Sequence, residues 1–95
     1  MSYYVYILAS QRNGTLYTGM TSDLPKRIYQ HKNELADGFT KDHNVKSLVY
    51  YEMYEELDEA RYRERRLKRW NRDWKKDLIE KDNPQWQDLY ETICS

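Results

Sequence analysis

The stretch Tyr-Tyr-Val-Tyr-Ile-Leu at residues 3–8 is rich in β-forming residues, and Leu-Tyr-Thr-Gly follows at residues 16–19. Between them lies Asn13-Gly14, a dipeptide that favours the tight turns joining antiparallel strands. Two strand-like runs separated by such a turn are typical of a β-hairpin. The opening of the chain therefore predicts a hairpin whose first strand covers residues 3–9.

The first strand should present two different faces, because successive side chains of a strand point to opposite sides. Val5, Ile7 and Ala9 share one face, which we interpret as core. Tyr4 and Tyr6 share the other face. That second face is phenolic, and the strand alone does not show what the phenols do.

The order of the remaining elements indicates the fold class. One strand and several helices follow the hairpin, which predicts an α+β fold with a three-stranded, mainly antiparallel sheet flanked by helices. We expect residues 1–83 to form the domain and residues 84–95 a helical tail that packs on it or extends it. After the hairpin we predict a helix from about Leu24 to Leu35, capped near Asp23-Leu24-Pro25, then a loop over 36–45 and a strand over 47–54. A helix over 57–70 follows, and a further helix restarts near Asn71 and runs to about Ile79. The chain should end with a turn at Asn83-Pro84 and a short helix within 85–93.

Composition excludes several classes of protein. The chain has 95 residues, which is room for one domain. Its one cysteine, Cys94, rules out an internal disulfide and a thiolate cluster. No apolar run approaches the ~20 residues that span a bilayer, so we expect a cytoplasmic protein that does not enter the membrane. Two histidines are too few for a multi-histidine zinc site, and nucleotide-binding glycine loops are missing, so we expect no organic cofactor.

Charge is segregated along the chain although it sums to zero. Residues 61–76 hold nine basic and two acidic side chains, and acidic residues precede and follow them. Acids before a helix and bases within it also suit the helix dipole, but a basic helical surface is what phosphate groups bind. The candidates for contacts with a nucleic-acid backbone are Arg61, Arg65, Lys68, Arg72 and Lys75.

A histidine interrupts the apolar stripe of the first predicted helix. Leu24, Ile28 and Leu35 mark the inward stripe, and His31 falls on it. Arg27 precedes His31 by one turn, so the two side chains are neighbours on one face. They could be a half-buried, hydrogen-bonded histidine beside a surface charge, or two members of a polar site.

A carboxylate interrupts the stripe of the long helix as well. The three-four spacing of its apolar residues also lands on Glu64 and Asn71. Burying a charge without a partner is costly, so Glu64 must face a cleft, a metal ion or a basic partner, for which Arg61 and Lys68 are close enough. Asn71 suits the cap of a restarted helix. The apolar members of the series are Leu57, Ala60, Leu67, Trp74 and Leu78.

These residues together resemble the motifs of the GIY-YIG nuclease superfamily, in particular its small stand-alone bacterial (YhbQ-like) members. Val5-Tyr6-Ile7 stands in the place of the Gly-Ile-Tyr motif, and Tyr17-Thr18-Gly19 in the place of Tyr-Ile-Gly. The run Thr21-x-x-Leu24-x-x-Arg27-x-x-x-His31 is similar to the family's helix signature. Ala60-x-x-x-Glu64-x-x-Leu67-Lys68-x-Trp70 is similar to its glutamate helix. The resemblance covers about residues 3–83, with valine and threonine replacing the first glycine and the central isoleucine.

The resemblance implies hydrolysis of a phosphodiester bond. Tyr6 would be the general base on the attacking water, which requires a phenolate. An ordinary phenol titrates near ~10, so a neighbour must take its proton, and His31 is the candidate. Arg27 would hold the scissile phosphate and offset its developing charge.

The resemblance also implies a single divalent cation. Glu64 would bind Mg²⁺ or Mn²⁺, hard ions that suit a carboxylate, waters and phosphate oxygens. Tyr17 would orient phosphate or water, and Gly19 would let the backbone come close. We therefore expect a metal-dependent endonuclease acting on DNA, in repair or recombination.

Two other functions remain open from the sequence. The chain could be a non-catalytic nucleic-acid-binding or interaction module on the same fold. It could also be a structural protein in which Glu64 pairs with Arg61 or Lys68. Cleavage that depends on Glu64 and metal distinguishes the enzyme from both.

Overall fold

The computed structural model describes residues 1–35 and 38–94. Over those residues the chain forms three strands and five helices. The elements are β1 (Tyr3–Ala9), β2 (Leu16–Thr21), α1 (Leu24–Lys32), α2 (Gly38–Asp42), β3 (Ser47–Tyr54), α3 (Leu57–Arg69), α4 (Arg72–Asp82) and α5 (Tyr90–Cys94).

The sheet confirms the predicted fold class. Its order is β2-β1-β3, and β1 pairs antiparallel with both neighbours. The hairpin turn at Asn13 has a φ of 60°, a left-handed conformation that asparagine tolerates. In the register of the hairpin Tyr6 lies opposite Gly19, and Leu8 opposite Tyr17. Since paired residues share a face, Tyr6 and Tyr17 are on the same side of the sheet.

Both faces of β1 are buried, because helices cover both sides of the sheet. Val5 packs with Leu67 of α3, whereas Ile7 packs with Ile79 of α4. On the other side Tyr6 and Leu8 pack with residues of α1 such as Ile28, and both are 0% exposed. The phenolic face is thus a second core face, and the sheet separates α1 from α3 and α4.

The predicted helix caps are confirmed. The Asp23 side chain accepts a hydrogen bond from the Lys26 backbone N–H at the start of α1. The Asn71 Oδ1 accepts one from the Trp74 N–H, at 2.9 Å, at the start of α4. Each cap satisfies a backbone donor that a helix leaves without an internal partner.

Two expectations about α1 and the following loop were wrong. Helix α1 ends at Lys32, and Leu35 is 68% exposed, because Glu34 turns the chain with a φ of 59°. The region expected to be a loop contains α2, Gly38–Asp42, while residues 36–37 lie outside the described part of the chain. Contacts between α2 and the rest of the molecule, described below, stabilise a helix too short to be marked by sequence periodicity.

Trp74 is also not a core residue, since 56% of its surface is exposed. The three-four spacing of apolar residues continues into α4, but the chain is extended at Trp70, with a ψ of 144°. This break changes the direction of the helix axis, so a residue in phase with Leu67 on α3 does not keep that phase on α4. Leu78 is half-buried between the clusters of α3 and α4.

A polar network fixes α3 to β3. The Glu52 carboxylate accepts hydrogen bonds from Nε and Nη2 of Arg63, the latter at 2.9 Å, and from the hydroxyls of Tyr50 and Tyr54. Burial favours the neutral acid, but these hydrogen bonds outweigh it and lower the pKa of Glu52. Burial, with Glu52 nearby, raises the pKa of Tyr54 to about 12. The Arg63 guanidinium also lies 5.1 Å from the centroid of the Trp70 ring.

The C-terminal segment packs against the start of β3 and against α1. The Leu89 N–H donates to the Leu48 carbonyl at 2.8 Å, and Asp88 Oδ1 accepts from the Leu48 N–H at 3.2 Å. Asp88 also pairs with Lys32 at the end of α1. Just before this segment, the buried Asn83 donates to the carbonyls of Val49 and Gln87. No helix in the described part of the chain combines the length and the apolar character that crossing a membrane requires.

Candidate active site

The hydroxyl of Tyr6 is the centre of a polar cluster on the α1 side of the sheet. It lies 2.9 Å from Nε2 of His31, and Nε of Arg27 donates to it at 3.3 Å. Strand β1 holds the phenol at the middle of the sheet, and α1 brings arginine and histidine to it from successive turns. Arg27 and His31 therefore lie on one face of α1, as predicted, and both contact the Tyr6 hydroxyl.

His31 is held at both ring nitrogens. Its Nδ1 lies 3.1 Å from Oγ1 of Thr40 in α2, while Nε2 faces Tyr6. If Nδ1 carries the proton and donates to Thr40, Nε2 is left as an acceptor for the phenol proton. Histidine and threonine are both buried, at 0% and 1% exposure, so this arrangement is shielded from water.

Tyr17 completes the aromatic part of the cluster. Its ring centroid lies 6.4 Å from that of Tyr6 and 5.4 Å from that of His31, and Phe39 of α2 packs on it at 6.0 Å. Tyr17 is half-buried, whereas Tyr6 is fully covered. Tyr17 is therefore the phenol that a bound molecule would meet first.

The charge of Arg27 is stabilised by both phenols. Burial alone would lower the pKa of Arg27, but its hydrogen bonds and charge interactions with Tyr6 and Tyr17 outweigh burial and raise it. Its Nη1 also donates to Oε1 of Gln30 at 3.3 Å. Because interaction between charges is mutual, the guanidinium would offset part of the cost of forming a phenolate at Tyr6, whose burial favours the neutral phenol.

Gly19 leaves space for the Tyr6 phenol. A Cβ atom at this position would lie 2.5 Å from the Tyr6 hydroxyl oxygen and 2.6 Å from Cζ. It would also lie 3.1 Å from Cε2 of Tyr17. Position 19 therefore requires glycine because the Tyr6 and Tyr17 rings lie against it, with Tyr6 directly opposite on β1.

The structure brings together four of the five predicted catalytic residues, which are Tyr6, Tyr17, Arg27 and His31. Glu64 is on α3, which lies on the other face of the sheet, where the neighbouring Ala60 and Leu67 pack on Val5. Its side chain is 21% exposed, and Oε2 lies 3.6 Å from Nζ of Lys68. Of the two basic partners weighed from the sequence, Lys68 is the one that pairs with it.

The residues around Glu64 suit only a metal ion that needs a single protein ligand. Among the described residues, no three histidine, cysteine, aspartate or glutamate side chains form a group that could hold a cation. A single carboxylate is nevertheless a sufficient protein ligand for Mg²⁺, which keeps several waters and takes further oxygens from a substrate phosphate. Glu64, half-buried beside one lysine, suits such an ion and does not suit a preformed cage.

The predicted phosphate-binding residues occupy different environments. Arg61, Arg65 and Lys68 are exposed on α3. Arg72 donates to the carbonyls of the hairpin turn at residues 13–14, so it also ties α4 to the sheet. Lys75 is half-buried, and burial together with nearby Lys68 lowers its pKa.

Sequence reasoning missed the residues of the cluster that come from α2 and from the polar face of α1. Thr40 holds His31, Phe39 packs on Tyr17, and Gln30 accepts a hydrogen bond from Arg27. Gln30 could have been found, because it follows Arg27 by three residues on one helix. Thr40 and Phe39 reach the site through the packing of α2, which no sequence pattern marked.

The family model of the GIY-YIG catalytic domain matches residues 2–77 of this sequence. The chain therefore belongs to the GIY-YIG family, and the cluster contains the tyrosines of its two name-giving motifs. Within that family it is similar to small bacterial UPF0213 proteins. It is 39% identical over 77 residues to UPF0213 protein SSP2268 of Staphylococcus saprophyticus, covering 81% of this chain and 93% of that protein. It is 41% identical over 76 residues to UPF0213 protein CPE1444 of Clostridium perfringens, covering 80% and 81%.

A solved structure supports the same assignment. The solution NMR structure of UPF0213 protein BH0048 from Bacillus halodurans matches this fold with a TM-score of 0.58. The sequences are 28% identical, and the match covers 94% of each chain. The three-stranded antiparallel sheet flanked by helices is thus shared with a relative of the same group.

Proposed function

We propose that the protein is a divalent-metal-dependent endonuclease that hydrolyses phosphodiester bonds in DNA. The observation that carries the proposal is the position of the Tyr6 hydroxyl, between Nε2 of His31 at 2.9 Å and Nε of Arg27 at 3.3 Å. A phenol beside a proton acceptor and a cation is equipped to ionise. Membership of the GIY-YIG family supports nuclease chemistry as its use.

The proton moves in two steps. Tyr6 gives its proton to Nε2 of His31, and the phenolate then takes a proton from the attacking water. In the tautomer that this route requires, Nδ1 of His31 donates to Oγ1 of Thr40, 3.1 Å away, and Nε2 is the acceptor. Arg27 lowers the free energy of the phenolate, because its guanidinium lies against the ionising oxygen.

The substrate phosphate enters from the exposed side of the cluster. Tyr6 is completely covered, and Arg27 and Tyr17 are the partly exposed members beside it. Arg27 donates to a phosphate oxygen through its Nη groups, while its Nε keeps the hydrogen bond with the Tyr6 hydroxyl. Tyr17 orients the same phosphate from β2.

Glu64 would hold the divalent ion, with waters and phosphate oxygens as the other ligands. When bound, Mg²⁺ or Mn²⁺ supplies positive charge that stabilises phosphate oxygens as the bond breaks. The exposed Arg61, Arg65 and Lys68 hold the DNA backbone through charge, without reading its sequence.

Incubation of labelled linear, branched and single-stranded DNA with the protein in Mg²⁺ or Mn²⁺ tests the proposal. We expect Arg27→Ala and Glu64→Gln each to lower the cleavage rate by roughly 100-fold or more. Lys26→Ala and Glu59→Gln, exposed neighbours on the same two helices, should leave it unchanged. Equal products from the wild type and both site variants would identify a contaminating nuclease and reject the assignment.

One observation favours a second candidate, a nucleic-acid-binding module without turnover. Glu64, the proposed metal ligand, is paired with Lys68, whose Nζ lies 3.6 Å from its Oε2. A binding module would retain affinity for DNA in EDTA and would give no metal-dependent product with any of the substrates.

A further inference from the structure

The outer side of α3 and the start of α4 form a surface that the active-site cluster does not use. Two adjoining depressions lie there, with volumes of about 270 and 380 Å³. Tyr62, Arg66 and Arg69 line both of them. We call the full set the aromatic–arginine surface, and its residues are Tyr62, Arg65, Arg66, Arg69, Trp70 and Trp74.

Two large rings are presented to solvent on this surface. Tyr62 is 57% and Trp74 is 56% exposed, although rings of this size are usually buried. The Trp74 ring stands edge-on to Trp70, with centroids 5.9 Å apart and planes at 87°. The Arg66 guanidinium lies 5.5 Å from the Tyr62 centroid and donates to its hydroxyl at 2.9 Å. Both rings therefore have packing partners that restrain their orientation.

The charge of the surface is entirely positive. Three arginines line the depressions, and none of the described residues that line them is acidic. Two carboxylates near α3 have cationic partners of their own, since Glu52 pairs with Arg63 and Glu64 with Lys68. Planar guanidinium groups bind phosphate oxygens through two parallel hydrogen bonds and also stack on flat rings.

We propose that the aromatic–arginine surface binds single-stranded nucleic acid, with unpaired bases stacked on Tyr62 and Trp74 and phosphates held by Arg65 and Arg69. The proposal rests on the proposed function for the class of ligand. Exposed rings discriminate between forms of nucleic acid, because a duplex keeps its bases stacked internally whereas a single strand offers their faces. The surface therefore selects unpaired segments of the substrate.

The position of the surface separates binding from chemistry. It lies on the outer side of α3, and the sheet lies between α3 and the Tyr6 cluster. A strand bound there would place an unpaired segment on one side of the domain while the scissile phosphate reached Arg27 on the other. Single-strand binding should then survive loss of the catalytic residues.

Fluorescence anisotropy with a labelled oligo-dT and a hairpin duplex of equal length, in EDTA, tests the proposal on the full chain. We expect tighter binding of oligo-dT, and a loss of roughly fivefold or more in its affinity for Tyr62→Ala and for Trp74→Ala. The matched control is Tyr29→Ala on α1, because Tyr29 is 53% exposed and lies outside the surface. Circular dichroism verifies that each variant is folded.

Three results would overturn the proposal. The first is an equal loss of affinity in Tyr62→Ala and Tyr29→Ala, and the second is tighter binding of the duplex than of oligo-dT. The third is displacement of labelled oligo-dT by polyglutamate as effectively as by unlabelled oligo-dT, which would indicate a surface that recognises charge alone. As a further check, Arg69→Ala should reduce the slope of log affinity against log salt by about 0.7, the value for one phosphate contact on a single strand. Arg27→Ala separates this proposal from the nuclease assignment, since it should abolish cleavage and keep oligo-dT affinity.

Discussion

The Tyr6 hydroxyl and Nε2 of His31 lie 2.9 Å apart in the interior of the protein, although 25 residues separate them in the chain. This contact joins the central strand to α1 through a polar bridge where a core would normally place two apolar side chains. Buried polar groups that are fully hydrogen-bonded fix one arrangement, and partly bonded ones are costly. The contact is therefore sensitive to small changes in either partner.

Tyr6→Phe keeps the ring and removes the hydroxyl. We expect the cleavage rate to fall by roughly 100-fold or more, because the proton route through His31 is lost. The loss of two hydrogen bonds should cost about 1–2 kcal/mol of folding free energy, so the variant should still fold. Initial rates and urea denaturation measure the two effects. Tyr4→Phe, on the same face of β1, is the matched control, and a fully active Tyr6→Phe would refute the role of Tyr6.

Thr40→Val keeps the volume of the side chain and removes the acceptor for Nδ1 of His31. Thr40 is a positioning residue, so we expect a fall in kcat of roughly 10- to 100-fold and a changed acid limb of the pH–rate profile. Thr40→Ser, which keeps the hydroxyl, should restore both. If the valine variant lost stability while its pH profile stayed that of the wild type, Thr40 would have a packing role alone.

Gly19→Ala places a methyl group 2.5 Å from the Tyr6 hydroxyl oxygen. We expect the Tyr6 and Tyr17 rings to shift, with a loss of about 1–3 kcal/mol from overpacking and a strong loss of cleavage. Thermal unfolding and initial rates provide the measurements. Gly38→Ala is the control, because among the described residues its Cβ would meet nothing nearer than Oδ2 of Asp42 at 4.0 Å, and helix α2 should tolerate alanine. A stable, active Gly19→Ala would show that the cluster is looser than its geometry implies.

Glu52→Gln tests the network between β3 and α3. We expect a loss of about 1–3 kcal/mol near neutral pH, because hydrogen bonds to a charged acceptor are weakened. The pKa of Glu52 is lowered in the folded protein, so its contribution is present above the ordinary pKa of a glutamate and is lost as pH falls through the folded value. The difference in stability between wild type and variant should therefore shrink in acid.

The control for this network is Glu34→Gln. Glu34 pairs with Lys46 at the surface, and 46% of its side chain is exposed. Its loss should change stability by less than about 1 kcal/mol at any pH. Denaturant unfolding between pH 3 and 7 compares the two variants. A Glu52→Gln difference that does not decrease in acid would exclude the lowered pKa as the cause.

Local rules were sufficient where the sequence predicted the structure well. Strand alternation and the Asn13-Gly14 turn put Tyr6 and Tyr17 on one side of the sheet, and helical spacing put Arg27 next to His31. The remaining errors have physical causes at element ends. The stripe of α1 could not extend to Leu35 because Glu34 reverses the chain, and the phase of α3 did not survive the extended residue Trp70.

Tertiary contacts determined what the sequence could not predict. Thr40 reaches His31 because α2 packs on the cluster, and a helix of five residues is too short to show a periodic pattern. Tertiary packing also determines which face of the sheet α1 and α3 each cover. Neither helical spacing nor strand alternation specifies that choice.

The C-terminal segment affects how copies of this protein behave toward each other. Strand β3 is an edge of the sheet, and an edge offers unpaired backbone groups to which another chain can add. At Leu48 both groups are occupied, the N–H by Asp88 and the carbonyl by Leu89. Residues 88–89 thus protect the start of this edge against self-association, so cutting or displacing them would promote aggregation before it affected the chemistry.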